Sequence, residues 1–352
     1  MSRFLSPRFS RLEPYTPGEQ PKDRLLLKLN TNESPYPPSP LAQEKAAQAL
    51  KHLELYPDPQ CQALHQAMAE QLGVMPENVL ATNGSDEILN FAFMAFCDQN
   101  TPAVFCDITY GFYRVFADLY NLPCHQIPLK EDLSVDLDAL IATPGTVFLA
   151  NPNAPTGLAL PLSEIRRLVS ADPERLVVVD EAYVDFGTDS AVSLTKEYDN
   201  LLVTQTFSKS RSMAGARLGF GIGNAQLIAD LNAVKYSTNP YNINAMTMAA
   251  GLGVLADPEY TRNNCQAIIE SRTYTQQGLK ALGFEVCDSR TNFVFARHCT
   301  LSGQKIYQAL RQQGILVRHF STPRICDYNR ITVGTREQMQ QLLTALEAIV
   351  KE

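Results

Sequence analysis

The sequence predicts an α/β protein with a mainly parallel β-sheet, and three features support this fold class. Short apolar runs such as "TVFLA" and "RLVVV" are bounded by turn residues, which is typical of strands buried on both faces of a sheet. Helical patterns separate these runs, as expected where helices connect parallel strands. The length of 352 residues exceeds one ordinary hydrophobic core, so two packed domains are expected.

The first elements follow an irregular N-terminal arm. Its segments "PYTPGEQP", "ESPYPPSP" and "LYPDPQ" contain proline too often for regular secondary structure. Two helices are predicted next, at 41–53 and 61–73, and Gly73 ends the second. The chain then alternates between strands predicted at 78–85, 102–107, 146–153, 175–183 and 201–208, and helices predicted at 86–97, 111–120 and 161–170.

The pattern changes near residue 245, after the segment "RLGFGIG" and a helix predicted at 225–236. The C-terminal part has helices predicted at 243–256, 258–282, 302–313 and 336–352, and strands predicted at 284–289, 292–297, 314–320 and 330–335. We therefore predict a large domain at 41–244 and a smaller α+β domain at 245–352. Residues 1–40 are expected to form the arm and part of the small domain.

The composition excludes several classes of protein. A formal net charge of -7 argues against a nucleic-acid surface as the main partner. The eight cysteines occur singly, without a C-x-x-C pair or a histidine placed to complete a zinc site, as expected for free thiols in a reducing compartment. No apolar run approaches the roughly 18 residues that span a bilayer, and the N-terminus lacks the apolar core of a signal peptide. A soluble, cytoplasmic protein is expected.

The residues just beyond the predicted strands form one candidate site, because ligands of α/β sheets bind at the carboxyl ends of the strands. Asp180 follows "RLVVV", and Lys209 follows the next strand, in "TFSKSRSMAGARLGF". Asp180 is also compatible with a turn cap, and Lys209 with an exposed strand end. Together, however, they match the pair that pyridoxal-phosphate enzymes use, in which the lysine forms a Schiff base and the aspartate keeps the pyridine nitrogen protonated.

The cofactor's phosphate requires hydrogen-bond donors, and the segment "TNGSDEILN" places Gly84 and Ser85 at a predicted helix start. Ser208 and Arg217 add a hydroxyl and a guanidinium. Gly219, Gly221 and Gly223 do not make a G-x-G-x-x-G motif, which counts against a nicotinamide site.

Two tyrosines complete the set of candidate cofactor residues. Tyr110 is placed to stack on a planar ring, and Tyr183 to donate to a phenolic oxygen, although each is equally compatible with a core position.

Several motifs resemble those of fold-type I pyridoxal-phosphate enzymes, and within them the class II aminotransferases. These motifs are "NPNAPTG", "DEAY", "TFSKSRSMAG" and "RLGF", in the order of that class. Four others, "LKLNTNESPYPPSP", "LYPDP", "ATNGSDEI" and "RITVGT", look like those of the histidinol-phosphate aminotransferase family. The resemblance implies a large domain on a mainly parallel seven-stranded sheet. It also implies transamination between glutamate and imidazole-acetol phosphate.

The resemblance assigns the cofactor-binding roles residue by residue. Lys209 would bind the cofactor's aldehyde and move a proton between Cα and C4′, and Asp180 would pair with the pyridine nitrogen. Tyr183 would bond the ring O3′, and Tyr110 would stack on the ring. The phosphate would be held by Ser85, Asp86, Ser208, Arg217 and, from the neighbouring subunit of a homodimer, Tyr56.

The resemblance also assigns substrate residues. Arg330, with Arg318 as a second candidate, would bind the glutamate carboxylate or the substrate phosphate, for which bidentate arginine chemistry is suited. Asn292 and Tyr15 would line the substrate pocket.

One position departs from the family pattern. The family has an asparagine immediately before "PTG", in contact with O3′, where this sequence has Ala154. Either Asn153 takes over from one residue earlier, or Tyr183 holds O3′ without it.

Three other functions compete with this one. An aminotransferase for aromatic amino acids and a threonine-phosphate decarboxylase share the cofactor residues, so the central motifs do not separate them. A ligand-binding regulator on the same fold would carry an added DNA-binding module, for which the proline-rich arm is too short.

Overall fold

The computed structural model describes residues 2–9, 12–16, 18–20 and 26–351. Its strands are β1 Leu27–Lys28, β2 Val79–Thr82, β3 Ala103–Cys106, β4 Cys124–Ile127, β5 Thr146–Ala150, β6 Val177–Asp180, β7 Leu201–Thr206, β8 Gly219–Gly223, β9 Phe284–Val286, β10 Phe293–His298, β11 Ile315–Leu316, β12 Arg318–His319 and β13 Tyr328–Thr332. Parts of the predicted arm, residues 1, 10, 11, 17 and 21–25, lie outside the described residues, as does position 352 of the last predicted helix.

The helices account for most of the remaining regular structure. They are α1 Pro40–Ala49, α2 Gln62–Leu72, α3 Ser85–Phe96, α4 Phe112–Leu119, α5 Leu137–Ala142, α6 Leu162–Ser170, α7 Ala225–Thr238, α8 Ala245–Leu255, α9 Pro258–Ala281, α10 Gly303–Gln312 and α11 Arg336–Lys351. Among the described helices, none is long and apolar enough to cross a membrane. All eight cysteines lie in the described ranges and are free thiols.

Seven strands form the main sheet, in the order β2-β8-β7-β6-β5-β3-β4. β8 runs antiparallel to β2 and β7, whereas the other neighbours pair in parallel. The predicted α/β class with a mainly parallel seven-stranded sheet is thus confirmed. Because β3, β5, β6 and β7 are parallel, the segments that follow them meet at one edge of the sheet.

The central strands are buried on both faces, which explains their continuous apolar sequences. Along β6, Val177 and Val179 belong to the apolar cluster on one face, and Val178 to the cluster on the other. This alternation follows from the two-residue period of a strand. Helices α2, α5, α6 and α8 contribute to the first cluster, and α3, α4 and α7 to the second.

The C-terminal part of the chain forms a second apolar core. A four-stranded antiparallel sheet, in the order β12-β13-β10-β9, is covered by α9, α10 and α11. β1 of the arm pairs in parallel with β11, and Leu29 next to it is buried in this core. By contrast, α8 packs against α1 and α2 beside the main sheet.

The structure differs from the sequence prediction in several elements. β1, β4, β8 and α5 were not predicted. β1 has only two residues, β4 is an edge strand with exposed polar residues, β8 contains three glycines, and α5 is only six residues long. The single strand predicted at 314–320 is two strands, since β11 pairs with β1 while β12 pairs with β13. Val317 separates the two pairings.

Candidate active site

A pocket lies at the carboxyl edge of the main sheet. Most of the predicted cofactor residues line it: Ser85, Asp86, Tyr110, Asp180, Tyr183, Ser208, Lys209 and Arg217. They come from the segments that follow β2, β3, β6 and β7, and from the segment that precedes β8. The parallel arrangement of the sheet therefore brings together residues that are up to about 130 positions apart in sequence.

The start of α3 forms one end of the pocket. Gly84 is the N-cap residue and has a φ of 78°, a conformation that glycine adopts without strain. The first backbone N–H groups of a helix have no partner within it, and the helix dipole favours an anion there. Ser85 and Asp86 lie in this first turn and face the pocket.

Arg217 adds positive charge to the same end. Its guanidinium donates to Asp86 Oδ2 at 3.0 Å and to Ser208 Oγ at 3.1 Å. Ser208 Oγ also lies 3.1 Å from Thr206 Oγ1, so both hydroxyls are held in place. A guanidinium, a hydroxyl and a helix N-terminus together form a site suited to phosphate.

Asp180 lies at the buried end of β6. Its carboxylate accepts a hydrogen bond from Tyr113 Oη at 3.0 Å and another from the Ala182 N–H at 3.1 Å. Burial raises the pKa of Asp180 to about 6, although both hydrogen bonds and the charge of Lys209 oppose this shift. Asp180 is therefore a buried carboxylate with acceptor capacity that a cationic N–H could use.

Lys209 lines the same pocket as this carboxylate. Its Nζ is 3.4 Å from the Thr31 carbonyl oxygen and 5.8 Å from the centre of the Tyr183 ring. The described residues give Lys209 no salt bridge within 4 Å. The amine is thus held only by a long hydrogen bond and is available to a ligand.

Tyr110 lines the pocket from the segment after β3. Its hydroxyl donates to Asp86 Oδ1 at 2.6 Å, which links it to the anion-binding end. Burial, followed by the charge of Asp86, raises the pKa of Tyr110 well above its ordinary value. Its ring packs edge-on against Tyr113, with ring centres 5.7 Å apart. Tyr110 therefore stays neutral and is fixed at both ends.

A second pocket adjoins the first and shares Tyr110, Tyr183 and Lys209 with it. Tyr15, Arg318 and Arg330 line this second pocket, as the sequence predicts for substrate residues. Tyr15 packs against Phe112 with ring centres 4.5 Å apart.

Arg330 in this second pocket lacks a counter-ion among the described residues. It donates to the Asn30 carbonyl at 3.1 Å, and its buried Nε has no hydrogen-bond partner there. The guanidinium lies over the rings of Phe293 and Phe320, and burial lowers its pKa. Among the described residues, Arg318 likewise donates to a backbone carbonyl, that of Thr16, and has no acidic partner. An anionic ligand would supply the missing acceptors.

Three predicted residues do not line either pocket. Asn292 is buried, and its Nδ2 donates to the Asn32 carbonyl at 3.0 Å. Tyr56 is 82% exposed and stacks on Tyr241, with ring centres 4.6 Å apart. The Asn153 amide is occupied by the loop around it, through bonds with Thr109 Oγ1, the Ile108 carbonyl and Thr156 Oγ1. Ala154, not Asn153, forms the pocket wall.

Two of the residues that were not predicted from the sequence form hydrogen bonds with predicted site residues. Tyr113 bonds Asp180, and its position three residues after Tyr110 at a helix start could have indicated it. Asn32 Nδ2 donates to Tyr183 Oη at 2.9 Å. It lies in the motif "LKLNTNESPYPPSP", which indicated a resemblance but no role. Within the described residues, no cluster of His, Cys, Asp and Glu could hold a metal ion.

Comparison with known proteins shows the family to which the chain belongs. Residues 24–346 match the family described as aminotransferase class I and II, and the chain therefore belongs to that family. The histidinol-phosphate aminotransferase of Clostridium acetobutylicum is 44% identical over 351 residues, which cover 99% of this chain and 100% of that relative. The histidinol-phosphate aminotransferase of Acinetobacter baumannii strain AB0057 is 49% identical over 350 residues, which cover 98% of this chain and 97% of that relative.

Solved structures share the fold. The histidinol-phosphate aminotransferase of Sinorhizobium meliloti, solved in complex with pyridoxal-5'-phosphate, superposes with a TM-score of 0.91. It is 24% identical, and the match covers 100% of this chain and 98% of that one. The histidinol-phosphate aminotransferase from Clostridium acetobutylicum superposes with a TM-score of 0.85, and the match covers 93% of this chain and 99% of that one.

Proposed function

We propose that the protein is a pyridoxal-phosphate-dependent histidinol-phosphate aminotransferase of histidine biosynthesis. It transfers the amino group of glutamate to imidazole-acetol phosphate and yields histidinol phosphate and 2-oxoglutarate. Relatives of that name, matched over nearly the whole chain, support this substrate. The observation that carries the proposal is one pocket with a lysine, a buried carboxylate, and an arginine beside a helix N-terminus, joined to a second pocket with two arginines.

The first pocket fits pyridoxal phosphate at three points. Arg217, Ser208 and the α3 N-terminus provide donors for the phosphate. Asp180 provides a buried acceptor for a protonated ring nitrogen, and Lys209 provides the amine. When bound, pyridoxal phosphate supplies an aldehyde that takes up amines and a protonated ring that withdraws electrons from the α-carbon.

Lys209 has two tasks in this proposal. Its Nζ would hold the cofactor through the aldehyde carbon. The same Nζ would be placed to move a proton between the substrate's α-carbon and C4′ of the cofactor. The long hydrogen bond to the Thr31 carbonyl leaves Nζ free to change position.

Asp180 and Tyr183 hold the ring. Asp180 would accept the ring's N–H and, as an anion, would keep the proton on that nitrogen. Its bonds from Tyr113 and Ala182 fix the orientation of the carboxylate. Tyr183 would donate a hydrogen bond to the ring O3′. Ala154, which lines the pocket nearby, has no side-chain amide that could share this task.

The arginines of the second pocket bind the anionic ends of the substrates. Glutamate and imidazole-acetol phosphate both present an anion at a distance from the reacting carbon. Arg330 and Arg318 are placed to donate hydrogen bonds to either a carboxylate or a phosphate. The buried Nε of Arg330 lacks a partner among the described residues. Because one site serves both substrates in turn, the cycle is of the ping-pong type.

The protein acts as a homodimer in the cytoplasm in this proposal. Tyr56 would reach the cofactor phosphate in the partner's site. Its exposure supports this, since neighbouring apolar side chains are exposed with it: Leu50, Leu53, Leu55 and Tyr241. A group of exposed apolar side chains is expected to be covered by another protein surface.

A panel of amino donors tests the substrate. Each compound is added to the purified holoenzyme, and the loss of its visible cofactor absorbance is followed. Histidinol phosphate is expected to bleach the band at far lower concentration than phenylalanine or tyrosine, and glutamate is expected to bleach it as well. A preference for an aromatic amino acid, or carbon dioxide release from phosphothreonine, would contradict the proposed substrate.

A further inference from the structure

The hydrogen bond between Asn32 and Tyr183 connects the N-terminal arm to the pocket. Asn32 Nδ2 lies 2.9 Å from Tyr183 Oη, and Asn32 is only 1% exposed. Asn32 follows β1, which pairs with β11 of the C-terminal part, whereas Tyr183 follows β6 of the main sheet. The bond therefore joins the two cores of the molecule at the active site.

The other bonds of Asn32 fix the direction of this one. Thr332 Oγ1 accepts the backbone N–H of Asn32 at 2.9 Å, and its single proton is then donated to Asn32 Oδ1 at 3.1 Å. With Oδ1 occupied by Thr332, the amide presents its Nδ2 to Tyr183. An NH2 group can only donate. Tyr183 Oη must therefore accept this bond, and its own proton is left to point elsewhere.

We propose that Asn32 is a positioning residue, which turns the hydroxyl proton of Tyr183 into the cofactor pocket. This inference rests on the proposed function, in which Tyr183 donates to the cofactor's ring oxygen. Thr332 and Asn292 hold Asn32 in place, and Thr332 lies on β13 two residues after Arg330. β13 thus holds both Arg330, which is proposed to bind the substrate's anion, and Thr332, which holds Asn32 against Tyr183.

Two substitutions reverse or remove this bond. Asn32→Asp keeps the shape of the side chain but cannot donate, so its carboxylate accepts the proton of Tyr183 and withdraws it from the pocket. Asn32→Gly removes the side chain without adding charge. Both are compatible with the backbone, because Asn32 has a φ of 56°, where glycine and aspartate are tolerated.

The readout is the pH midpoint at which the visible absorbance of the holoenzyme changes. A donor to the ring oxygen stabilises its anionic form, so loss of the donor raises the midpoint. We expect Tyr183→Phe and Asn32→Asp each to raise it by about one pH unit, and Asn32→Gly by less, since one hydrogen bond corresponds to about that shift. Thermal unfolding shows whether each variant is folded. If Asn32→Asp is not folded, the midpoint of Asn32→Gly decides the test.

A double variant separates this effect from the added charge. In the Tyr183→Phe background, Asn32→Asp is expected to shift the midpoint by less than about 0.3 pH units, because there is no proton left to reorient. Asn329→Asp is the matched control. Asn329 is a buried asparagine on β13, the strand of Thr332, and its Nδ2 donates to the Gly303 carbonyl at 3.0 Å. Its variant should keep the wild-type midpoint.

The possible outcomes distinguish the two proposals. A midpoint that moves in Tyr183→Phe but not in either Asn32 variant overturns the role of Asn32 alone. An Asn32→Asp shift that is equally large in the Tyr183→Phe background does the same, since charge then explains it. An unchanged midpoint in Tyr183→Phe overturns both this inference and the role of Tyr183. A wild type without visible cofactor absorbance overturns the proposed function itself.

Discussion

Asp180 is buried in the main sheet, yet its proposed task requires it to be an anion. Burial raises its pKa to about 6, and Tyr113, Ala182 and Lys209 counteract part of that rise. A bound ring N–H would add a further, charge-assisted bond and favour the ionised form more strongly. The environment of Asp180 therefore favours the binding of a cationic ligand.

Asp180→Asn should separate binding from reaction. The amide keeps the volume of the side chain, and the phosphate end of the pocket is unchanged, so cofactor should still bind. The rate of the half-reaction with glutamate should fall by about a hundred-fold or more, because a neutral partner no longer stabilises the protonated ring. Stopped-flow absorbance measures this rate. Asp189→Asn, at an exposed position, is the control; an equal rate in the Asp180 variant would rule out the assigned role.

Sequence reasoning found the residues at strand ends and missed those that support them. Lys209 and Asp180 were predictable, because the ends of parallel strands meet at one edge. Tyr113 was indicated only by its spacing from Tyr110, and Asn32 by no spacing, since their contacts join residues 67 and 151 positions apart. For Asn153, the sequence left open whether it reaches the ring, and its bonds to the surrounding loop favour the reading in which Tyr183 acts without it.

At the scale of elements, the start of α3 depends on its close approach to β8. A Cβ atom on Gly219 would lie 2.3 Å from the Ser85 backbone nitrogen and 2.5 Å from the Gly84 carbonyl carbon. No side chain fits there unless α3 moves away from the sheet. The backbone N–H groups proposed to bind the phosphate would move with it.

Gly219→Ala should therefore weaken cofactor binding by about ten-fold or more, which corresponds to the loss of one hydrogen bond to a charged group. The dissociation constant is measured by absorbance titration of the cofactor-free protein with pyridoxal phosphate. Gly215→Ala is the matched control, since a Cβ at Gly215 would meet no atom within 4 Å. Equal affinities for the two variants would contradict a phosphate site at the α3 N-terminus.

Glu181 joins three elements beneath the site. Its carboxylate accepts bonds from Ser190 Oγ at 2.6 Å, the Ala191 N–H at 2.5 Å and Gln205 Nε2 at 2.9 Å. Burial nevertheless raises the pKa of Glu181 to about 7, and the hydrogen bonds offset only part of this rise. The folded state then binds a proton that the unfolded state has lost. Its contribution to stability decreases as pH rises from about 4.5 to about 7.

Glu181→Gln should remove this dependence. We expect the free energy of unfolding of the cofactor-free variant to rise relative to wild type, by on the order of 1 kcal/mol or more, between pH 5 and pH 7.5. Urea unfolding at the two pH values measures the difference. Asp180 and His65, with perturbed pKa values of about 6 and about 4, titrate in both proteins and cancel. The exposed Glu174→Gln is the control; a difference that does not change with pH would contradict the account.

The elements that the sequence predicted best are those buried on both faces. β5, β6 and β7 have continuous apolar sequences because both faces are covered. β4 was missed because its pattern at the sheet edge includes exposed His125 and Gln126. β1 was missed because two residues give no period, and only pairing with β11 makes it a strand.

At the scale of the whole molecule, the proposed dimer makes each site depend on two chains. Tyr56→Phe should lower cofactor affinity by about ten-fold through loss of one hydrogen bond to a charged phosphate. Mixing it with the inactive Lys209→Ala should restore high affinity in hybrid dimers. In the hybrid, the intact Lys209 of one chain is combined with the intact Tyr56 of the other. Turnover at limiting cofactor measures this; no gain on mixing would contradict a shared site.

The overall fold could be predicted from the sequence because the chain carries the motifs of a large family. Motifs at strand ends occur in the order that the sheet requires, and the matched family spans residues 24–346. What no single sequence supplies is the way the arm and the C-terminal sheet meet over the pocket. Those contacts are isolated side-chain bonds such as that of Arg330 to the Asn30 carbonyl.

In the proposed function one amine, Lys209 Nζ, binds the aldehyde of the cofactor. Borohydride reduces a C=N bond between a lysine and pyridoxal phosphate to a stable linkage, so the treated protein can be digested and its peptides weighed. The account predicts one phosphopyridoxyl group per chain, on the peptide that contains Lys209, and none in Lys209→Ala; Lys305→Ala, on α10, should label like wild type. A label on another lysine, or no label in the wild type, would contradict it.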